Sequence, residues 1–141
     1  MTIPTWVLLA FATWTLLLLV ATVGVYRWYR ILTGRVAIRN FRYDAVEGHP
    51  DWYRRGMRAH GNCIENLPVY GAIVLVLFIL GLDSRSLDVA ALVLIVARVC
   101  QSLVHVSFVE TNRTTLIRFL FFLTQVFAMF WMIATIIVAA V

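Results

Sequence analysis

Residues 58–82 read RAHGNCIENLPVYGAIVLVLFILGL, and this stretch decides the fold. From Asn66 to Leu82 it contains no charged residue, so it is long and smooth enough to be a membrane-spanning helix. Directly before that run, Arg58, His60 and Glu65 lie on the same predicted helix. Ionisable side chains are rare within membrane helices and usually have a function there. The polar end of this helix is therefore the first candidate functional region.

The rest of the chain has the composition of a membrane protein. Of its 141 residues, 62% are hydrophobic and 13% are charged, a balance outside the usual range of soluble domains. Ile3–Val25 and Phe119–Val141 carry no charged side chain, and the largely apolar Val89–Val109 contains no acidic residue, one arginine, Arg98, and one histidine, His105. Each stretch can cross a hydrocarbon core of about 30 Å at about 1.5 Å per residue. We predict one all-α domain, residues 1–141, an integral membrane four-helix bundle with helices at about 3–31, 50–81, 87–110 and 114–140.

The arginines predict the orientation in the membrane. All twelve basic residues are arginine, and eight of them flank or fill the connection between the first and second helices: Arg27, Arg30, Arg35, Arg39, Arg42, Arg54, Arg55 and Arg58. The next connection contains only Arg85. By the positive-inside rule, the first and third connections are cytoplasmic and both termini face outward. The net charge of +5 requires no nucleic acid as a partner, because anionic membrane lipid attracts such a connection.

The two cysteines, Cys63 and Cys100, lie on separate predicted helices. The sequence contains no CxxC motif and no pair of histidines at metal-ligand spacing. We therefore predict neither a metal site nor a disulfide, and we interpret both cysteines as small core residues.

Polar residues recur at helical spacing on three of the four helices. At about 100° per residue, positions four and seven residues apart share one face of a helix. The faces are Arg58, Asn62 and Glu65 on the second helix, Arg98, Ser102 and His105 on the third, and Arg118, Phe122 and Gln125 on the fourth. Each of these residues also has a purely structural interpretation. Arg58 can extend to lipid phosphates, and Asn62 and Gln125 can form hydrogen bonds between helices. Glu65 can form a structural ion pair with an arginine.

Depth in the membrane indicates which of these residues meet. At the rise of an α-helix, Glu65 and His105 each lie about 26 Å from the outer ends of their helices. Arg118 lies only about 6 Å from the cytoplasmic start of the fourth helix, so all three reach the cytoplasmic third of the membrane. Arg98 lies near the midplane, where an arginine costs at least about 2.5 to 3.5 kcal/mol without a partner or water.

A site with these side chains suits a zwitterionic ligand with a net negative charge. Arginines bind carboxylates through paired hydrogen bonds, and the carboxylate of Glu65 suits an ammonium group. A small peptide has both groups. A second, lipophilic substrate can reach such a site from the bilayer.

The stretch RAHGNCIENLPVY resembles the second-helix signature of the MAPEG superfamily, membrane-associated proteins in eicosanoid and glutathione metabolism. That signature has the form R-x-H-x-N-x-x-E-x-x-P, and Arg58, His60, Asn62, Glu65 and Pro68 match it. The resemblance extends over the whole chain: about 140 residues, four spanning helices, a basic first connection, and an arginine in the third and near the start of the fourth helix.

The resemblance implies a homotrimer that binds glutathione, as co-substrate, in a U-shaped pose between neighbouring subunits near the cytoplasmic face. Three polar faces on four helices also favour a trimer, because one protomer cannot easily enclose them. Arg58, Asn62, Glu65 and Arg98 match the family's glutathione contacts, and Arg118 matches the catalytic arginine that polarises the thiol. We add His105 and Gln125 to the predicted binding residues from their positions on the polar faces. The implied location is a bacterial inner membrane.

The chain also departs from the family pattern. Its last tyrosine is Tyr70, whereas relatives that use glutathione often have tyrosines on the third and fourth helices. Gln101 and Phe122 stand where a histidine and a tyrosine are frequent. The leading hypothesis is a glutathione-dependent transferase or peroxidase acting on lipophilic electrophiles. The alternative hypothesis is a non-catalytic trimer that binds a lipid or another anion. A third, weaker hypothesis is a proton-coupled exporter that uses Glu65.

Overall fold

The computed structural model describes residues 1–35, 37 and 49–140, and all regular secondary structure in these residues is helical. Its elements are α1 (Ile3–Leu18), a π-helical segment (Leu19–Gly24), α2 (Val25–Leu32), α3 (Asp51–Leu80), α4 (Arg85–Ser107) and α5 (Asn112–Ala140). The first three are continuous from Ile3 to Leu32, so the described residues contain four helices long and apolar enough to cross a membrane. The predicted all-helical class with four apolar helices is confirmed, and the chain is an integral, multi-pass membrane protein. Arg39 and Arg42 of the predicted basic connection lie outside the described residues.

Local sequence determines where α3 and α4 begin and end. Gly81 ends α3 in the left-handed conformation, with φ of 63°, which glycine adopts without steric cost. Ser84 then caps α4, since its Oγ accepts a hydrogen bond from the backbone N–H of Leu87 at 3.4 Å. The helix ends at Ser107, because Phe108 takes an extended backbone conformation. Glu110, the predicted last residue of this helix, therefore lies in the connection to α5.

The core of the bundle lies where α1 packs against α3 and α4, and α4 packs along α5. Phe11, Cys63, Tyr70 and Met132 are almost completely buried there. The Tyr70 hydroxyl donates a hydrogen bond to the carbonyl oxygen of Pro4 at 3.0 Å, which ties the middle of α3 to the start of α1. Many large apolar side chains face outward instead, as expected for helices whose outer surface contacts lipid.

At Gly56, α3 passes very close to the π-helical segment. Thr22 donates its hydroxyl proton to the carbonyl oxygen of Leu18 at 2.6 Å, and its side chain faces Gly56 of α3. A Cβ atom at Gly56 would lie 2.7 Å from the Cβ of Thr22, so only glycine fits at this crossing. The close approach packs Tyr53 and Met57 against Val23 and places the polar first half of α3 beside the other helices.

Candidate functional site

A polar cluster lies at the end of the bundle where α4 connects to α5. Arg58 and Asn62 reach it from α3, His105 from the last turn of α4, and Arg118 from α5. Spacing along three separate helices indicated these four residues, and the structure brings them together. Glu110 joins them from the connection between α4 and α5.

Arg118 is the centre of the cluster and is only 8% exposed. Its Nη1 donates to Nδ1 of His105 at 2.9 Å, and its Nη2 donates to Oε1 of Glu110 and to Oγ1 of Thr115, both at 3.0 Å. The side-chain amide of Gln101 donates a hydrogen bond to the backbone carbonyl oxygen of Arg118 at 3.1 Å. The guanidinium is therefore held in one orientation from α4, α5 and the connection between them.

The bond to Arg118 determines the tautomer of His105. An arginine can only donate hydrogen bonds, so Nδ1 of His105 is the acceptor and Nε2 carries the proton. Nε2 lies 3.1 Å from Nδ2 of Asn62, and the amide accepts this proton once a flip of the side chain exchanges its nitrogen and oxygen. His105 is thus a neutral link between Asn62 on α3 and Arg118 on α5.

Glu110 bridges the two arginines with its two carboxylate oxygens. Oε2 accepts from Nη1 of Arg58 at 2.7 Å, and Oε1 accepts from Nη2 of Arg118 at 3.0 Å. The hydrogen bond from Arg58, followed by the one from Arg118, holds the pKa of Glu110 below its ordinary value. Sequence reasoning missed this residue by placing it in the third helix. The sequence did contain an indication of its importance, because Glu110 is the only acidic residue after Asp88.

A cavity of about 360 Å³ opens beside the cluster. Glu65 lines it with an exposed side chain, and among the described residues no partner forms an ion pair or hydrogen bond with this carboxylate. The complete lining is Asn62, Glu65, Gln101, His105, Thr115, Arg118, Phe119 and Phe122. A buried guanidinium, an unpaired carboxylate and two aromatic rings thus share one small space. Arg118 can attract an anion here and Glu65 a cation, and the apolar walls strengthen both interactions by lowering the local dielectric constant.

The structure does not bring Arg98 to this cavity. Arg98 is 1% exposed, and its guanidinium lies over the ring of Phe11 on α1, with Cζ 5.4 Å from the ring centroid. Its Nε and Nη2 have no hydrogen-bond partner among the described residues. Its favourable neighbours are the aromatic face of Phe11 and, through a longer-range electrostatic interaction, the carboxylate of Glu65. Within one chain, Arg98 is a core residue of the helix bundle.

Gln125 lies behind the site rather than in it. Its side chain is 1% exposed, and its Nε2 donates to Oε1 of Gln101 at 3.0 Å. Gln101 in turn donates to the backbone of Arg118. The two glutamines therefore support Arg118 from within the α4 and α5 interface, and Gln101 is a second contributor that the predicted site did not include.

Comparison with known proteins identifies the family of the chain. The model of the MAPEG family matches residues 4–138, nearly the whole sequence. No curated protein and no solved structure matches the chain. The match includes every helix and every residue of the cluster, so the site belongs to the part of the chain that the family shares.

Proposed function

The chain belongs to the MAPEG family, and from this premise we propose that it is a membrane-embedded, glutathione-dependent transferase or peroxidase acting on lipophilic electrophiles. One observation carries the proposal. The buried guanidinium of Arg118 lines a cavity whose other walls include the rings of Phe119 and Phe122. A cation held in an apolar cavity is the arrangement that stabilises a thiolate.

Glutathione suits the charges of this site as a co-substrate. It carries two carboxylates and one ammonium group; the cluster offers two arginines, and the cavity beside it offers the exposed carboxylate of Glu65. Arg58 and Arg118 are the proposed partners of its anionic groups. Glu65 is the proposed partner of the ammonium group, with Asn62 and His105 as further polar contacts.

Arg118 is the proposed catalytic residue because it can stabilise the thiolate. A free thiol has a pKa of about 8.5 and is mostly protonated at neutral pH. Lowering this pKa by about two units requires about 2.7 kcal/mol of thiolate stabilisation, which a guanidinium in a low-dielectric cavity can supply. The thiol proton passes to water. The thiolate then forms a carbon–sulfur bond as the leaving group departs with its bonding electrons, or attacks the terminal oxygen of a hydroperoxide, which breaks the O–O bond and releases the alcohol. In the second case another glutathione converts the resulting sulfenic acid into the disulfide and water.

The lipophilic substrate would enter from the bilayer. Phe119 and Phe122 follow Arg118 on α5 and are exposed on the outside of the protomer. An apolar electrophile dissolved in the membrane can therefore contact these rings and remain next to the thiolate. Aromatic side chains bury a large apolar area and favour such a contact.

The proposed assembly is a homotrimer in a bacterial inner membrane, with both termini outward and the site near the cytoplasmic face. The exposed carboxylate of Glu65 supports an assembly. It lies near the middle of α3, about 21 Å from the start of that helix. An unpaired charge at this depth is costly against lipid, and a neighbouring subunit would cover the cavity.

Thiolate formation tests the proposed function. Addition of glutathione to the purified protein at neutral pH should produce thiolate absorbance in the ultraviolet. Arg118→Ala should abolish that signal and slow conjugation of an aryl halide by roughly twentyfold, the loss of thiolate expected at neutral pH when the pKa returns to about 8.5. Arg118→Lys should recover part of the rate, because it keeps the charge and loses the planar guanidinium.

Arg113→Ala is the matched control for this experiment. Arg113 lies on the same helix, is exposed, and does not line the cavity, so its removal should leave the thiolate signal unchanged. The proposal fails if the wild-type protein gives neither thiolate nor conjugation above background.

The alternative function is non-catalytic binding of an anionic lipid or other anion in the same site. One observation favours it: neither α4 nor α5 contains a tyrosine. In that case inorganic phosphate or vesicles of an anionic lipid should bind to the wild-type protein without any thiolate signal. Arg58→Ala and Arg118→Ala should both weaken this binding.

A further inference from the structure

The position between Arg58 and Arg118 is already occupied by a carboxylate of the chain itself. Each oxygen of Glu110 accepts a hydrogen bond from one arginine, at 2.7 and 3.0 Å. A carboxylate of a bound ligand would use the same donors in the same geometry, because guanidinium groups bind carboxylates through such paired contacts. Glu110 and an anionic ligand therefore compete for one place.

The two halves of this bridge differ in strength. The side chains of Arg58 and Glu110 are 51% and 55% exposed, whereas the side chain of Arg118 is 9% exposed. Exposed ion pairs contribute little to stability, so the contact with Arg58 breaks easily. The buried charge of Arg118, in contrast, needs a negative partner at all times. Glu110 can leave Arg118 at low cost only when another anion replaces it.

The connection between α4 and α5 allows the carboxylate to move without unfolding a helix. Glu110 lies outside both helices. Two reciprocal hydrogen bonds hold the backbone beside it. The hydroxyl group of Thr111 accepts from the backbone N–H of Thr114 at 3.2 Å, and the hydroxyl group of Thr114 accepts from the backbone N–H of Thr111 at 2.9 Å. Thr114 also donates to the carbonyl oxygen of Val109 at 3.1 Å. Rotation of the exposed Glu110 side chain is therefore sufficient to open the position.

We propose that Glu110 is an internal substitute for a ligand carboxylate, which occupies the position between Arg58 and Arg118 in the empty site and is displaced when an anionic ligand binds. Glu110 thereby lowers the affinity of every anion that uses this position by the same factor and keeps Arg118 oriented in the absence of ligand. The inference rests on the proposed function in one respect, since it takes a carboxylate of a glutathione-like ligand as the displacing group.

Binding of S-hexyl glutathione to the full-length protein in detergent tests the competition. Removal of a competing internal group raises the population of the open site and tightens binding in proportion. Glu110→Gln should lower the dissociation constant by at least about fivefold, a change that corresponds to the strength of a partly exposed bridge. Glu110→Asp keeps the charge but is too short to bridge both arginines, so it should give an intermediate value.

Two controls separate competition from a general change in charge. The diethyl ester of S-hexyl glutathione lacks free carboxylates, so its binding should not improve in Glu110→Gln. Asp51→Asn removes one negative charge from the first turn of α3, where Asp51 pairs with Arg54 and Arg55 and not with the cluster. This variant should bind S-hexyl glutathione like the wild type. The inference is overturned by equal improvement with the ester, by equal improvement in Asp51→Asn, or by S-hexyl glutathione binding to both proteins with no improvement in Glu110→Gln.

A second probe distinguishes this inference from the proposed function. Inorganic phosphate needs only the two arginines, so Glu110→Gln should bind phosphate more tightly than the wild type. If S-hexyl glutathione binds neither protein and phosphate still prefers Glu110→Gln, the proposed function fails and the role of Glu110 stands. If phosphate shows no preference either, both are rejected.

Discussion

At the scale of single residues, Arg98 and Arg118 show how one residue type serves two purposes in one bundle. Arg118 has hydrogen-bond partners on three sides and lines a cavity. Arg98 has an aromatic ring beside it and two guanidinium nitrogens without partners among the described residues. Of the two arginines, only Arg118 can therefore exchange a hydrogen-bond partner within the protein for a ligand while its guanidinium keeps its position.

The protonation of Glu110 gives a prediction about pH. Its pKa lies below the ordinary value of 4.5 because Arg58 and Arg118 donate hydrogen bonds to it. A carboxyl group whose pKa is lowered by folding contributes its full stabilisation when the pH is above its pKa in the unfolded state. This contribution is lost as the pH falls through its pKa in the folded state. The thermal midpoint of the wild type should therefore exceed that of Glu110→Gln at neutral pH. The two midpoints should converge below pH 4.5.

The comparison with Glu110→Gln is needed because other groups face this carboxylate. Arg58 on α3, His105 on α4 and Arg118 on α5 all contribute to its surroundings. Arg58 and Arg118 stay charged over this pH range in both proteins, so their contribution cancels in the difference between the midpoints. His105 interacts electrostatically with Glu110, so its response to pH is part of the difference that the substitution measures. A difference that stays constant from neutral pH to below 4.5 would contradict the assigned role of the bridge.

At the scale of helices, the crossing of α3 over the π-helical segment depends on Gly56. A methyl group at this position would lie 2.7 Å from Thr22, so Gly56→Ala forces the two segments apart. Such overpacking costs about 1 to 3 kcal/mol, and the thermal midpoint in detergent should fall. Gly71→Ala is the matched control on the same helix, because its nearest neighbour, Leu8, lies at an ordinary 3.8 Å.

The control is expected to be neutral or slightly stabilising, since alanine has a higher helix propensity than glycine by about 1 kcal/mol. The assignment of the close crossing would be wrong if both variants changed the thermal midpoint by the same amount.

At the scale of the whole molecule, we expect three chains to assemble around the sites. In a single chain the carboxylate of Glu65 and the rings of Phe119 and Phe122 remain exposed beside the cavity. A neighbouring subunit would cover this opening and shield the charge from lipid. Native mass spectrometry from mild detergent should give a species of three chains of 16.1 kDa each. A stable monomer or dimer under conditions that preserve ligand binding would rule out the trimer.

The sequence by itself was sufficient for the helices and for most of the cluster. A helix in lipid must satisfy its backbone hydrogen bonds internally, so a long uncharged run is enough to identify it. The second-helix signature indicated the family that the match over residues 4–138 establishes. Spacing on each helix also indicated Arg58, Asn62, His105 and Arg118, since residues four and seven apart must share a face.

Only the tertiary structure decided which neighbour each face meets. Arg98 and His105 are seven residues apart and share one face of α4, yet Arg98 contacts Phe11 on α1 whereas His105 contacts Asn62 and Arg118. Packed helices cross at an angle, so the neighbour of one face changes along its length. Glu110 joined the cluster because an extended Phe108 ended α4. Spacing along one helix carries no information about the path of the chain after that helix ends.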